Sequence, residues 1–557
     1  RDEMNEKLVK LVEPKWYDKF FEIWINGLLS SPKTHIINEL SNKLNMLLSP
    51  VETLGSAFTD NIAASLTGRK TERFYGEATE EIVGGLSGFT DGIEAFVRTI
   101  KTGVNPVEAA KYDYTRQGFG GMFGRIVRLP GTALEAADAM NMTMNYRAAL
   151  SKLSYREARK EGLEGTALLD RVATLMATPP KAIEDAAIDQ AKYRMFRGDP
   201  GEFANTLMRL RQKAPVLRLV IPFLRTPANL LKYGLARSPV GFISAARTGL
   251  KAGKWTPEVS DEVARSVIGT TIGAALAIFV AQGKITGAVP KTAPERDRFY
   301  REGKLPFAIQ VGGQWIQYQR IEPYNMVLSQ ISAMSELDSE DDLSEASWNV
   351  ATTLGENLVS QSYMSGLADV LSMLNEPERY SRNWFQRMAA SGVPFSSALR
   401  AAAQVIDPTY RRGEGITDRF QLGLPGLSQR VAPVLSAFGE EAQRPTGPAT
   451  LFGLSPIQVS PERQSAVDAE LERVGVEVGL TGDTIGGEEL PQELRLQYQR
   501  LAGQETLRRL ELLFSNPGYV RAPDLQKETL IRRAVSRSRE LARNQIERMM
   551  RQATPVG

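Results

Sequence analysis

The chain has 557 residues, 42% hydrophobic and 24% charged, with a formal net charge of +3 and no cysteine. That length holds several buried cores, and the composition is that of folded protein and not of a disordered tail. The near-balanced charge excludes wholesale wrapping of nucleic acid, and the missing thiols exclude disulfides, thiolate catalysis and cysteine-held metals.

The opening Arg1–Pro14 is charged, has no apolar centre and does not read as a signal peptide. Trp16, Phe20, Ile23, Trp24 and Gly27 recur at helical spacing, with Tyr17, Phe21, Ile25 and Leu28 beside them. This predicts a helix over Trp16–Leu29 that is apolar over more than one face. Trp16 and Trp24 are therefore candidates for packing against another copy of the chain or at a membrane interface. Ser31-Pro32 ends this helix, and a second runs through His35–Leu48 until Ser49-Pro50. Gly84, Gly88 and Gly92 repeat every fourth residue, which fits either two closely packed helices or a glycine-rich turn.

Gly118–Gly124 is too rich in glycine for a regular helix and is expected to be a mobile loop. Helices are expected at Thr132–Glu161, Gly165–Met176, Ala182–Phe196 and Glu202–Lys213, with a break at Pro179-Pro180. Pro222, Pro227 and Pro239 punctuate Pro222–Phe242, and a short helix from Ala228 to Ala236 follows Pro227.

Val267–Gly283 carries no charge and is bounded by Arg265 and Lys284. It sits at the lower limit for a bilayer span. Three readings stay open: a buried core helix, a segment that enters a membrane in one state only, or a constitutive span. Gly269 and Gly273 suit close helix–helix contact, and Ala275 lies at the middle of the stretch.

Phe307, Ile309 and Val311 alternate, Gly312-Gly313 follows, and Trp315–Tyr318 continues, which predicts a β-hairpin. Glu414–Gly453 is rich in Gly and Pro and is expected to form an extended, irregular arm anchored by Phe420, Leu422, Leu424, Leu435 and Phe438. Glu488–Gln552 returns to helix, and its last part is crowded with arginine. Arg532, Arg533, Arg539 and Arg543 are candidate DNA contacts through phosphate, without sequence readout. The competing reading is plain solvation of a terminal helix.

The residues hold little chemistry. His35 is the sole histidine, which rules out a two-histidine zinc site and leaves it a helix-terminal structural role. No Walker A string occurs, and Glu336–Glu345 lacks the spacing of a calcium loop. Carboxylate pairs such as Glu80-Glu81 and Asp341-Asp342 sit in polar surroundings. No catalytic residue, cofactor site or metal site is assigned, and an enzymatic activity is expected to lie in a region before Arg1 or on another protein.

The strings PFLRTPANLLKYGLARSPVGF at Pro222–Phe242, WINGLLSSPKTHIINELSN at Trp24–Asn42 and LPGTALEAADAMNMTMNYRAALSKLSYREAR at Leu129–Arg159 carry a resemblance. So do Ile285–Tyr324, Ser360–Tyr380, Val393–Arg411 and Leu496–Arg543, in the same order. Together they resemble the C-terminal structural region of large internal virion proteins of tailed bacteriophages, known as ejection or polyvalent proteins. The resemblance implies a homo-oligomeric ring near the portal inside the capsid, in contact with portal or other internal virion proteins and with genomic DNA. It further implies delivery with the genome to help DNA cross the host envelope, where the chain meets a membrane. It implies too that the chain is the later part of a longer polypeptide. The alternative is a static capsid or tail protein without a translocation step.

The expected fold is mainly α, an elongated multi-domain architecture with one small β-hairpin and a long irregular arm. Its expected parts are an N-terminal helical region with the aromatic helix (1–103), a central helical domain (104–256), the apolar helix with the hairpin (257–345), a helical region (346–413), the arm (414–487) and the basic C-terminal region (488–557).

Overall fold

The computed structural model describes residues 16–103, 118–213, 225–287, 304–311, 314–318, 395–413, 415–444, 466–476, 478–479, 481–482, 484–485 and 488–553, with single positions at 299, 455, 457 and 459. The Gly312-Gly313 turn, the acidic run Glu336–Glu345, Ser360–Tyr380, most of region 346–413 and the end of the expected arm lie outside the described residues. The chain is mainly helical, with a small antiparallel hairpin. It divides into two compact units: residues up to 287 with 318–398, and residues 288–317 with those from 399 onward.

The first unit holds α1 (Trp16–Leu29), α2 (Pro32–Thr67), α3 (Gly76–Thr102), α4 (Gly121–Lys160), α5 (Gly165–Ala177), α6 (Lys181–Arg194), α7 (Glu202–Lys213), α8 (Arg225–Ala236), α9 (Gly241–Ala252) and α10 (Pro257–Ala281). The most extensive packing joins α3 to α4. Gly84, Gly88 and Gly92 are buried there on one face of α3, so the helix-packing alternative holds and the turn does not. A Cβ on Gly84 would stand 2.6 Å from the Arg147 carbonyl oxygen, which is why the two backbones need glycine to meet.

Two expected breaks do not occur. The second helix runs on through Pro50, and α4 begins at Gly121 and passes through Pro130. Proline removes one ladder hydrogen bond from a helix interior, and tertiary contacts outweigh that loss here. Around Pro50, Ser49 and Thr53 donate to Glu81 at 2.6 and 2.5 Å, and Gly55 lies against Ala264 and Ile268 of α10. Beside Pro130, the Gly131 N–H donates to Asn26 Oδ1 at 3.1 Å. The expected loop Gly118–Gly124 is helical from Gly121 because Glu22 accepts the Gly118 and Phe119 N–H groups and pairs with Arg128. His35 has the helix-terminal role expected of it: its Nε2–H donates to the Leu29 carbonyl at 2.9 Å, tying the end of α1 to the start of α2.

In the second unit, β1 (Ala308–Val311) pairs with β2 (Gln314–Gln317), Ile309 opposite Ile316, and Val459 bridges to Ile316 on the far edge. Next come α11 (Ser396–Ile406), which starts at the boundary between the units, and α12 (Ile416–Leu422). Much of 415–444 is irregular, but it is no free arm. Backbone bonds join Tyr410 to Ala442 and Val434, and Arg412 to Ala432, so the segment folds back on 408–412. The unit continues with α13 (Ala466–Val474), a two-residue pair β3 (Thr484–Ile485) and β4 (Glu488–Glu489), α14 (Gln492–Phe514), α15 (Pro517–Val520) and α16 (Asp524–Ala553). Leu510 of α14 and Ile531 and Val535 of α16 form its main core with Val467, Leu471 and Tyr519.

Candidate functional site

α16 is amphipathic, and its buried side is set by Ile531, Val535, Ala542 and Ile546. Its arginines divide into two groups. Arg532 is paired with Glu528 at 2.9 Å, and Arg539 donates to the Gly479 carbonyl. Both are therefore engaged within the chain. Arg533, Arg537, Arg543, Arg548 and Arg551 are exposed and make no ion pair among the described residues. At 100° per residue, Arg533, Arg537, Arg548 and Arg551 share one outward side, joined by Asn544 and edged by Glu540. Four guanidinium groups along about 27 Å of helix form a surface suited to a row of phosphates. Arg537, Arg548 and Arg551 were not among the four candidates chosen from the sequence. Spacing alone could have found them, because the buried residues fix which arginines face outward.

α10 has two unlike halves. Its first half is locked into the unit: Asp261 takes both Nε and Nη2 of Arg73, at 2.9 and 2.8 Å, and Ser260 donates to Asp60 while accepting from Trp255 Nε1. A Cβ on Gly269 would collide with the Arg237 carbonyl oxygen, so this glycine serves a close approach inside the chain. Gly273 is also buried. Arg237 is held by Glu52 through two hydrogen bonds, at 2.6 and 2.7 Å, and stacks 3.2 Å from the centre of the Tyr233 ring. Beyond Gly273 the helix turns apolar side chains outward: Ile278 is 60% exposed, Phe279 is exposed, and Ala275 faces solvent. This helix is long and apolar enough to cross a membrane by length and composition, and 28% of its most apolar window is buried. That low burial departs from the reading of a simple core helix.

Trp24 is buried and meets Phe21 edge to face at 6.4 Å, so it belongs to the interior of the first unit. Trp16 stands at the other end of α1 with its ring largely exposed.

The interior of the first unit carries a charge cluster that local sequence could not reveal. Glu81, read as a residue in polar surroundings, is buried with Arg194, which lies 113 positions further on, and with Lys152, whose Nζ is 3.8 Å away. Burial alone would raise the Glu81 carboxyl, but Arg194, Lys152 and the Ser49 and Thr53 hydroxyls hold it down at about 2. Lys152 is lowered to about 8 by burial, only partly offset by Glu81, because Arg194 has the nearer hold on that carboxylate. Nearby, Glu77 binds Arg156 at 3.1 and 2.7 Å. These are buried structural ions that neutralise one another.

The second unit has a cleft of about 570 Å³ lined by Glu470, Arg473, Phe514, Tyr519 and Lys527, among others. Its charged groups face each other: Arg473 binds Glu470, and the Tyr519 hydroxyl donates to Glu470 at 2.9 Å. Burial and this bond raise the Tyr519 hydroxyl above its ordinary range. Among the described residues, no group of three His, Cys, Asp or Glu side chains could hold a metal ion. Comparison of the chain with protein-family models, curated proteins and solved structures finds no match.

Proposed function

We propose that the chain is an internal virion protein of a tailed bacteriophage. It assembles as an oligomer near the portal inside the capsid and is delivered with the genome to help DNA cross the host envelope. The observation that carries this reading is α10. A helix anchored at one end by Asp261 to Arg73 and by Arg265 to Glu52, and apolar and outward-facing at the other, can exchange one environment for another without unfolding its unit. The family resemblance of the sequence supplies the setting, and the exposed arginines of α16 suit non-specific contact with packaged or passing DNA.

Location tests the proposal. The protein should be present in full particles and absent from particles that have emptied into cells. Retention in emptied particles would overturn delivery and favour a static capsid or tail component.

A further inference from the structure

α2 and α3 are built inside out. The buried face of α2 is Ser41, Asn42, Asn45, Ser49, Thr53 and Asp60 with small residues between them, and that of α3 is mostly glycine and alanine. The large apolar side chains point the other way. On α3, Ile82, Leu86, Phe89, Ile93, Phe96 and Ile100 follow alternating steps of four and three. This is the seam of a coiled coil. All of them except the half-buried Phe96 are exposed. On α2, Leu47, Val51, Leu54 and Phe58 repeat the pattern, and steps of four carry it to Ile62 and Leu66, the last 82% exposed.

We infer that these two outward stripes are the surface through which copies of this chain bind one another. The occupant is argued from three observations. Each stripe is about 28 Å long, so one matches the other in length as well as in chemistry. With ~150–250 Å² for a large aromatic side chain, a dozen side chains about half exposed offer on the order of 1,000 Å² of apolar surface. A stable interface buries ~800 Å² per partner. A 3.5-residue seam calls for another helix, and a second copy presents two.

This deepens the self-assembly within the proposed function by giving it a surface, and its test uses purified chain in solution, apart from any particle. The chain has no cysteine, so single introduced thiols report cleanly. Phe89→Cys and Phe58→Cys chains, alone and mixed, are treated with a short bis-maleimide. Covalent dimers are expected, from Phe89→Cys alone or Phe58→Cys alone if like stripes meet, or only from the mixture if unlike stripes meet. Leu86→Glu should raise the dissociation constant by about tenfold or more in sedimentation, as loss of a central anchor does, with helical circular dichroism unchanged. Leu250→Glu on α9, a residue 81% exposed but off both stripes, should leave association intact. A chain that stays monomeric and uncrosslinked, or an equal loss from Leu86→Glu and Leu250→Glu, would overturn the inference. Association that persists in Leu86→Glu would place the copy contact elsewhere and leave the virion proposal standing.

Discussion

Glu81 of α3 and Arg194 at the end of α6 form an ion pair whose side chains are 2% and 7% exposed. A buried pair of this kind contributes little over an apolar replacement, but losing one member strands the other charge. Glu81→Gln should therefore cost about 3–5 kcal/mol, read as a lowered urea midpoint. Glu161→Gln, which removes the exposed partner of Arg171, should leave the midpoint where it was. Equal effects from the two changes would mean that the Glu81 site is solvated.

The same cluster sets two pH responses of the same sign in separate intervals. Glu81 ionises at about 2 in the folded chain against 4.5 ordinarily, so the unfolded chain binds the extra proton between those values. Its stabilisation is complete above about pH 4.5 and disappears as pH falls toward 2, a change on the order of 3 kcal/mol. Lys152 releases its proton at about 8 against 10.5 ordinarily, so stability from this group rises with pH across that interval. Urea midpoints against pH should show both slopes, and Lys152→Met should erase the alkaline one and shrink the acid one, because Lys152 helps to hold Glu81 down.

Gly84 sets two rules against each other. Alanine is favoured over glycine inside a helix by roughly 1 kcal/mol. At Gly84, however, the new methyl would meet the Arg147 carbonyl and Ser151 Cβ, each at 2.6 Å. Overpacking of this kind costs ~1–3 kcal/mol, so Gly84→Ala should destabilise the chain. Gly482→Ala, with nothing within 4 Å, should stay within about 0.5 kcal/mol. A stabilised Gly84→Ala chain would show that α3 and α4 are less closely packed than described.

On α16 the outward arginines should matter more than the engaged ones. Replacing Arg533, Arg537, Arg548 and Arg551 by Gln should flatten the salt dependence of duplex DNA binding by about 0.9 in slope for each phosphate that the helix no longer neutralises. Changing Arg532 and Arg539 instead should alter the slope less, since Glu528 and the Gly479 carbonyl already hold them. Anisotropy titrations across a salt series measure both. An unchanged slope in the fourfold variant would return α16 to plain solvation.

Ala275→Arg places a charge at the solvent-facing side of α10, so the folded chain should accept it. In a bilayer the same charge costs ~2.5–3.5 kcal/mol at mid-depth. Particles should form at normal yield and then fail to deliver DNA. Normal infection by such particles would count against insertion of this helix.

Most of the fold was legible because period and punctuation agree in most segments. α7 runs over Glu202–Lys213 as its apolar spacing predicts, and the alternation at Phe307–Val311 yields the hairpin. The failures share a physical cause. Pro50, Pro130 and the glycines at 121 and 124 are local breakers that distant groups overrule: Glu81, Asn26 and Glu22 supply the compensating bonds from other helices. The candidate residues divided in the same way. Spacing marked Gly269 as a close approach, but only the folded chain identifies its neighbour as Arg237. The periodic stripe on α3 was present in the sequence, and its outward direction was not, because Gly84, Gly88 and Gly92 fitted a turn as well as a packed helix face until the fold set Arg147 and Ser151 against Gly84.

The glycine face of α3 has a calorimetric consequence. Heat capacity on unfolding rises with the apolar area newly wetted and falls with the polar area. A unit whose helices meet through glycine, alanine, serine and paired ions, while leucine, isoleucine and phenylalanine already face outward, wets little new hydrocarbon when it melts. The first unit as a monomer should therefore fall below the ~12–15 cal/mol/K per residue common to globular domains. Its stability should change only gently between cold and warm.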